Sequence, residues 1–293
     1  MNGSCNRAHL KLRPDRKCLN KKPLRVGMNG EWLALVEEDG RAYLLQRGSG
    51  EVRVRGLGRF NVDEMLGEVA VGDNVKIGQK ILRVLKPGLP EARRSMKRRA
   101  QIILAKDSGY LISRMGISVG SRVLEGGHGS AGLAMHIASV LGASGTLISV
   151  ENRPEHASVG KENMDVLKDV LPEFPDWHLL HSDLTECHNE VLGIVPELDA
   201  AILDMAEPWK AVSSISGILR PGGRIGCYCP TSIQLEKSWE ACEEAGLSVE
   251  WAGEVIERRW SKASRGGVRP GNQPVGHTAF LLIGVNLGSL EEM

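Results

Sequence analysis

One stretch, RVLEGGHGSAGLAMHIASVLGASGTLISVENR at residues 122–153, constrains this chain more than any other. It begins with a strand-like apolar run, turns on glycines, and continues with apolar residues at helical spacing. A second apolar run follows and ends at Glu151. This layout predicts a strand, a tight loop, a helix and a second parallel strand. Such a unit can hold a nucleotide-containing cofactor at its first turn.

The chain continues to alternate in the same way after residue 100. Apolar runs that could be buried on both faces alternate with stretches of helical period, which indicates a parallel sheet covered by helices. The predicted strands are SRVLEGG, TLISVEN, WHLLHSD, LDAAILDM, GRIGCYCP, LSVEWAGEVIERRW and TAFLLIGVN. We expect the last two to form a hairpin. The fold class is therefore α/β and Rossmann-like, with a sheet of about seven strands.

Shifts in composition divide the chain into three parts. Residues 1–22 are basic and lack any period, which predicts a disordered arm. Residues 23–90 change to a period of two, with DG, GSG and GD turns between short apolar runs, which predicts a small β domain. After the Pro/Gly linker LKPGLPEARRS, residues 91–293 form the α/β domain.

Composition narrows the class of protein further. The 293 residues are 42% hydrophobic, enough for a packed core, and the formal net charge is +1. Basic surface must therefore come from local clusters, which are either solvated faces or contacts to a polyanion. These clusters are the arm, residues 93–99 (Arg93, Arg94, Lys97, Arg98 and Arg99) and RRWSKASRGGVR at 258–269.

The cysteines and the absence of long apolar runs exclude other classes. The six cysteines include no CxxC pair, so we predict structural cysteines and no metal site; Cys227 and Cys229 should share one face of a strand. No apolar run reaches the length of a signal peptide or a membrane span. We therefore expect a cytoplasmic protein without membrane contact.

Acidic residues at the ends of successive predicted strands separate two possible cofactors. The glycine loop and Glu151, whose carboxylate can accept both ribose hydroxyls, fit NAD and S-adenosylmethionine equally. Glu125, however, would meet a dinucleotide's pyrophosphate with like charge and suits the ammonium of a methionine tail. Asp183 is placed to accept from an adenine amino group, and Asp204 ends a further strand. Together these acids favour S-adenosylmethionine.

Several motifs then resemble the bacterial and archaeal tRNA adenine-N1 methyltransferase family. They are AQIILAKDSGYLI, GSRVLEGGHGSAGL, SVENRPEHASVGKEN, LDMAEPW, LRPGGRIGCYCPT and RPGNQPVGHTAFLL. The resemblance runs from about residue 95 to 285. It implies a class I methyltransferase domain beside a small N-terminal β domain, methylation of adenosine 58, and in some members 57, in the T arm of tRNA, and a homotetramer.

The resemblance also implies roles for individual residues. Asp204 matches the proposed catalytic aspartate, Glu151 the ribose-binding acid and Asp183 the acid beside the cofactor adenine. His156 matches a residue on the adenosine side, and Gln101 belongs to a segment that approaches the cofactor from the domain junction. The loop around the methionine end comprises Glu125, Gly126, Gly127, Gly129, Ser130 and Ala131.

The chain departs from the family pattern at three places. His128 stands between the glycines where a small residue is usual, and we expect its side chain to face solvent. Ala131 stands where glycine is common, and Leu104 and Ala105 replace a frequent tyrosine and proline. The changed loop could lower cofactor affinity.

Three other functions remain open at this point. The first is methyl transfer to another substrate, such as protein isoaspartate or a small molecule, by the same cofactor site. The second is a non-catalytic tRNA-binding subunit, which retention of Glu125, Glu151, Asp183 and Asp204 disfavours. The third, an NAD-dependent dehydrogenase, is disfavoured by Glu125 and by the lack of a catalytic His or Lys constellation.

Overall fold

The computed structural model describes residues 30–264 and 266–288. The predicted basic arm, residues 1–22, lies outside the described residues. Within the described ranges, no helix is both long enough and apolar enough to cross a membrane.

The N-terminal part of the described chain is a small β unit. A four-stranded antiparallel sheet in the order β2-β1-β6-β5 packs with a two-stranded ribbon, β3-β4, and one short helix. Leu82 and Val84 alternate with exposed residues along β6, and they are buried together with Leu33 and Leu35 of β1. The elements are β1 Trp32–Val36, β2 Ala42–Gln46, β3 Glu51–Val54, β4 Gly58–Asn61, α1 Val62–Leu66, β5 Asn74–Ile77 and β6 Lys80–Leu85.

Helices and strands alternate through the rest of the chain. The helices are α2 Leu89–Ser95, α3 Ala105–Arg114, α4 Gly132–Leu141, α5 Pro154–Val170, α6 His188–Leu192, α7 Trp209–Ser216 and α8 Ser232–Glu244. The strands are β7 Arg122–Gly126, β8 Thr146–Val150, β9 Asp176–Leu180, β10 Leu198–Leu203, β11 Leu219–Cys229, β12 Ser248–Gly253, β13 Trp260–Lys262, β14 Val268–Pro270 and β15 Phe280–Val285.

Seven of these strands form one sheet in the order β12-β15-β11-β10-β7-β8-β9, which confirms the predicted fold class. The five from β11 to β9 are parallel, whereas β15 pairs antiparallel with both β11 and β12. The expected pairing of the last two runs is therefore correct. The extent of LSVEWAGEVIERRW was wrong: its strand ends at Gly253, and Trp260 begins the separate ribbon β13-β14.

Apolar layers cover both faces of the sheet, as continuous apolar strands require. Cys227 and Cys229 are buried on the same face, in the layer that also holds Cys242. The free thiols act there as small apolar groups, as predicted.

The strand order determines where a ligand site can form. β7 has β8 on one side and β10 on the other, so the connections after β7 and β10 leave the sheet in opposite directions. The crevice at such a switch point opens at the carboxyl ends of the strands. Glu125, Glu151 and Asp204 all lie at this edge.

Candidate active site and cofactor crevice

The glycine loop between β7 and α4 passes directly against the end of β10. The Asp204 N–H donates to the Gly126 carbonyl at 2.8 Å. Gly127 has a φ of +88°, and a Cβ added there would lie 1.9 Å from the Asp204 carbonyl oxygen. Only glycine fits both the left-handed backbone and this close approach. The loop and Asp204 therefore form one structural unit.

Ala131 precedes helix α4 in the left-handed conformation, with φ 65° and ψ 23°. It is the one non-glycine residue with positive φ among the described residues. That conformation costs an L-residue about 1–2 kcal/mol. Its side chain is completely buried, so packing offsets part of that cost. The chain thus holds an alanine in a backbone conformation that glycine adopts at less cost.

His128 is buried, with 2% of its surface exposed, so the expectation that it faces solvent was wrong. Its Nδ1 lies 2.9 Å from Glu125 Oε2, and its ring lies beside that of Trp177, with the ring centroids 5.7 Å apart and the planes tilted by 36°. Gly160 makes room for the imidazole, since a Cβ there would lie 2.4 Å from His128 Cδ2. No pattern near His128 in the sequence indicates this, because the space comes from a glycine on another helix.

Glu125 lies beneath the glycine loop and is 1% exposed. Besides His128, the hydroxyl of Ser149 donates to its Oε2 at 2.9 Å, and the Trp177 indole N–H donates to Ser149 Oγ at 3.1 Å. The carboxylate is therefore held by side chains of the protein itself. Ser149 was not predicted, although it lies two residues before Glu151 and so faces the same side of the sheet.

Glu151 connects the loop to the end of β8. Its Oε2 accepts from the Gly129 N–H at 2.9 Å, and its Oε1 accepts from the backbone and guanidinium of Arg153 at 3.1 and 2.9 Å. Burial by itself would raise the pKa of Glu151, but the hydrogen bonds from Arg153 and Gly129 lower it below its usual value. Glu151 is therefore ionised at neutral pH. Arg153 was not predicted as a site residue, and its side chain is about half exposed.

Asp204 is partly exposed at the end of β10, beside both other acids. Burial first, and then the charges of Glu125 and Glu151, raise the pKa of Asp204 to about 7, against a smaller opposing effect of Arg153. Three acids that the sequence separates by up to about 80 residues therefore meet in one crevice, as the switch-point geometry predicts.

Asp183 follows the end of β9, and His156 lies at the start of α5, directly after the end of β8. Asp183 is exposed, and its Oδ1 accepts from the Thr185 N–H and hydroxyl at 2.9 and 2.7 Å. These hydrogen bonds lower the pKa of Asp183 and fix its rotamer. His156 is in the first turn of α5, and its buried Nδ1 has no hydrogen-bond partner among the described residues.

The segment before α3 packs over the glycine loop. Ser130 Oγ accepts from the N–H groups of Arg99 and Ala100 at 3.0 and 3.1 Å, which ties this segment down. Ile102 packs so closely on Gly132 that a Cβ there would lie 2.7 Å away. Gln101, between them, is exposed. The Ser130 hydroxyl is thus used in hydrogen bonds within the protein. Contact of Gln101 with a cofactor stays a prediction.

The basic residues 93–99 divide into two kinds. Arg93 is half-buried, contacts His136 and donates to the Ile103 carbonyl at 3.1 Å, so its inclusion in an exposed basic face was wrong. The exposed members are Arg94, Lys97, Arg98 and Arg99. Lys97 also pairs with Glu162 at 2.5 Å.

The crevice fits S-adenosylmethionine in three respects. Glu151 is an ionised acid where a ribose would lie. The orphaned Nδ1 of His156 is a buried polar atom that a ligand group could satisfy. The cluster of acids suits a cationic cofactor rather than an anionic pyrophosphate.

The sheet order and this crevice define a class I S-adenosylmethionine-dependent methyltransferase. An S-adenosylmethionine-dependent O-methyltransferase from Thermotoga maritima shares the fold, with a TM-score of 0.73 at 24% identity over 91% of this chain and 97% of that one. Residues 82–266 match the family described as tRNA methyltransferase complex GCD14 subunit, and the chain belongs to this family.

Two relatives match along almost their whole length. The Thermus thermophilus tRNA (adenine(58)-N(1))-methyltransferase TrmI is 32% identical over 252 residues, covering 85% of this chain and 94% of the relative. The Methanocaldococcus jannaschii tRNA (adenine(57)-N(1)/adenine(58)-N(1))-methyltransferase TrmI is 28% identical over 278 residues, with coverages of 85% and 93%. The family resemblance expected from the motifs is confirmed.

Proposed function

We propose that this chain transfers a methyl group from S-adenosylmethionine to N1 of an adenosine in the T arm of tRNA, either adenosine 58 alone or adenosines 57 and 58. The observation that carries the proposal is Asp204, an acid set against the cofactor loop at the switch point of the sheet. Membership in the tRNA methyltransferase family and the names of the relatives support the choice of substrate.

Asp204 would act by orientation and electrostatics. When bound, the cofactor supplies an electrophilic methyl group to the N1 lone pair. Adenine N1 is neutral at pH 7, so no proton must leave before attack, but the product ring is cationic. The Asp204 carboxylate accepts a hydrogen bond from the exocyclic amino group, fixes the ring and stabilises the developing charge.

The remaining site residues would hold the cofactor. Glu151 receives the ribose hydroxyls, Asp183 and His156 lie on the adenine side, and Gln101 covers the site. The loop Glu125–Ala131 surrounds the methionine end; there Glu125 contributes through its charge, since Ser149 and His128 already donate to its Oε2. For Glu151 to accept both ribose hydroxyls, the guanidinium of Arg153 would have to give up its hydrogen bonds to this carboxylate.

Reaching a base inside folded tRNA needs binding energy from elsewhere. Extracting a base costs a few kcal/mol, and neutralising phosphates with Lys and Arg is the general source of that energy. The exposed residues Arg94, Lys97, Arg98 and Arg99 would contribute, together with the ribbon β13-β14, which carries Lys262 and Arg269.

Nucleoside mass spectrometry tests the reaction directly. Unmodified tRNA transcript is incubated with protein and S-adenosylmethionine, and a new 1-methyladenosine peak is expected, absent with Asp204→Ala. Asp204→Asn should lose far more turnover than cofactor affinity, and equal losses would refute the role of Asp204. Mapping the modified position decides between 57, 58 and both.

The same assay separates the alternatives. Cofactor binding without a methylated nucleoside would favour another substrate, such as protein isoaspartate. tRNA binding without cofactor binding would favour a non-catalytic subunit. Neither alternative accounts for the combination of Asp204 with family membership.

Three broader features belong to the proposal through the family resemblance. They are a homotetrameric assembly, a cytoplasmic location where tRNA is the substrate, and a division into the arm 1–22, the β domain 23–90 and the methyltransferase domain 91–293. The separate small sheet formed by β1, β2, β5 and β6 supports the second boundary.

A further inference from the structure

A buried charged cluster joins the start of α3 to the chain before β15. Lys106 Nζ donates to Asp107 Oδ1 at 2.7 Å, to the Val255 carbonyl at 2.6 Å and to Thr278 Oγ1 at 2.7 Å, which uses all three N–H donors of an ammonium group. The Thr278 hydroxyl donates in turn to Asp107 Oδ2 at 2.8 Å. The side chain of Lys106 is 5% exposed and that of Asp107 is fully buried, so both charges depend on this pairing. The cluster is satisfied within the protein and has a structural role.

The cluster beneath the glycine loop is built around Glu125. An ionised carboxylate only accepts hydrogen bonds, so the Nδ1 N–H of His128 and the hydroxyl of Ser149 both donate to Glu125 Oε2, each at 2.9 Å. Ser149 Oγ accepts from the Trp177 indole N–H at 3.1 Å, and its own proton is used on Glu125. Glu125 pairs with Ser149 in the β7-β8 register, so the two side chains lie on one face of the sheet. One carboxylate oxygen is thus held by two donors.

The second oxygen of Glu125, Oε1, is not used in this way. Within the described residues, no group donates to it. The enclosed side-chain nitrogen and oxygen atoms without a hydrogen-bond partner in this part of the chain are Ser108 Oγ, His128 Nε2 and His156 Nδ1, and Glu125 Oε1 is not one of them. It therefore retains some accessible surface at the end of β7, where the crevice opens. In contrast to the Lys106 cluster, this one leaves a charged atom open to a ligand.

The imidazole of His128 serves Glu125 and no other polar group of the described residues. Its Nε2 is enclosed and has no hydrogen-bond partner there. Gly160 provides the space, because a Cβ at that position would lie 2.5 Å from Nε2. The backbone is fixed as well, since the His128 N–H donates to the Val150 carbonyl at 3.1 Å. A buried nitrogen without a partner is unfavourable, so the hydrogen bond from Nδ1 to Glu125 is the favourable polar contact that the ring supplies.

We propose that His128 is a positioning residue for the methionine end of S-adenosylmethionine. Together with Ser149 it holds Glu125 Oε2, so that Oε1 stays in place to accept a hydrogen bond from the α-ammonium group of the cofactor. A carboxylate that is already oriented loses little side-chain freedom on binding, and its hydrogen bond from an ammonium is charge-assisted. This inference rests on the proposed function, since it assumes the same cofactor in the same crevice.

Two ligands separate this role from a merely structural one. S-adenosylhomocysteine and methylthioadenosine share the adenosine and a neutral thioether, but only the first carries the amino-acid tail. His128→Leu removes the donor and keeps a similar volume, and we expect its Kd for S-adenosylhomocysteine to rise about tenfold, the effect of roughly one charge-assisted hydrogen bond. Its Kd for methylthioadenosine should stay within about twofold. Equal losses for both ligands, or no loss for S-adenosylhomocysteine, would overturn the proposal.

Two further variants of His128 guard against a folding defect. His128→Asn puts an amide N–H near the position of Nδ1 and should keep most of the affinity for S-adenosylhomocysteine. His128→Gln puts its amide near the position of Nε2 and should lose affinity as His128→Leu does. If His128→Leu does not fold, the comparison of His128→Asn with His128→Gln decides in its place, and equal affinities there would contradict the proposal.

His178→Leu is the matched control for removing an imidazole. His178 also contacts an acid, since its Nε2 lies 3.0 Å from Asp176 Oδ2. It follows Trp177 directly along β9, so its side chain lies on the opposite face of the sheet from the Glu125 cluster. Both affinities should be unchanged in this variant. A loss like that of His128→Leu would show that the effect is not specific to the glycine loop.

A double-mutant cycle shows whether His128 acts through Glu125. Glu125→Gln should itself weaken binding of S-adenosylhomocysteine, and adding His128→Leu should then cost little more. Additive losses would contradict the proposal.

The wild-type protein separates this inference from the proposed function. Wild type that binds neither S-adenosylmethionine nor S-adenosylhomocysteine removes both. Wild type that binds them and methylates tRNA, with affinities unchanged in His128→Leu, removes only the role of His128. Binding without methylated tRNA removes the proposed substrate, and the affinities of the variants then decide the role of His128 by themselves.

Discussion

Asp204 shows how single residues acquire properties that their type does not suggest. Its pKa of about 7 comes from burial and from two other acids, Glu125 and Glu151, at the ends of neighbouring strands. Because the proposed role requires the carboxylate, the free enzyme should lose kcat/KM as pH falls through about 7. The cationic cofactor lowers the pKa of a nearby acid, so kcat, which reports on the cofactor-bound enzyme, should begin to fall only at a lower pH.

Rates of methylation from pH 5.5 to 9 at limiting and at saturating S-adenosylmethionine check this prediction. If kcat/KM fell only near pH 4, the neighbouring acids would not be raising the pKa of Asp204, and the prediction would be wrong. Asp107→Asn is unsuitable as a control because it unpairs a buried lysine. The exposed pair Glu257–Arg259 offers a better one, and Glu257→Gln should leave the profile unchanged.

Gly127 allows a matched test of the close contact in the glycine loop. Gly127→Ala places a Cβ 1.9 Å from the Asp204 carbonyl, so the loop or β10 must move. We expect cofactor affinity to fall at least about tenfold, since the cofactor surface and Asp204 shift together. Gly116→Ala is the control: its φ of +69° carries similar backbone strain, but nothing lies within 4 Å of the added atom.

Calorimetric titration with S-adenosylmethionine measures both variants. Gly116→Ala should lose about 1 kcal/mol of stability and no affinity. Equal affinity losses in the two variants would mean that strain, and not the contact with Asp204, limits substitution at Gly127.

The sequence predicted the acids well but not their partners. Strand ends and strand order bring Glu125, Glu151 and Asp204 to one edge, and both follow from apolar runs. The burial of His128 depends on Gly160 and Trp177, which lie on α5 and β9. No local pattern near His128 carries that information, because it arises from packing between distant elements.

Strands and helices were predicted best where a buried face gives their apolar residues a regular spacing. The seven strands of the large sheet follow from apolar runs, whereas the ribbon β13-β14 lies at exposed residues such as Trp260, which is 63% exposed. Without a buried face, nothing in the pattern marked where β12 ends. The half-buried position of Arg93 was also missed. A long side chain can bury its charge by donating to a carbonyl, and the sequence does not show that the Ile103 carbonyl lies nearby.

The basic residues 93–99, in and after α2, allow a prediction about tRNA binding. Arg98 and Arg99 are exposed. The double variant Arg98→Gln, Arg99→Gln should flatten the dependence of log K on log salt by about 1 for each phosphate that the protein no longer neutralises. Arg93→Gln is the matched control, and it should lower the melting temperature while leaving the salt slope unchanged.

Filter binding of tRNA between 50 and 200 mM salt, with melting temperatures of each variant, distinguishes these effects. A salt slope that changes equally in both variants would show that the exposed pair has no special part in binding phosphate.

For the whole molecule, cofactor binding should appear as stability. A ligand that binds only the folded state stabilises it by about 2.7 kcal/mol at 100 times its Kd. For a domain of this size that corresponds to a rise in Tm of roughly 5–10 °C. Glu151→Gln weakens the proposed ribose contact and should require a much higher concentration for the same shift.

Differential scanning fluorimetry across S-adenosylmethionine concentrations measures the shift. NAD at the same concentrations is the negative control, because the crevice gathers acids where its pyrophosphate would lie. A larger shift with NAD than with S-adenosylmethionine would overturn the choice of cofactor.

The bond between Lys106 and Thr278 also has a consequence for how the protein is made. The two residues are 172 positions apart, so during synthesis Lys106 emerges from the ribosome long before its partner exists. Chains that stop short of residue 278 would have to leave a lysine charge without one of its acceptors or keep α3 away from the sheet. The contacts of Lys106 can therefore become complete only after residue 278 has left the ribosome, and activity should appear only once β15 has been made.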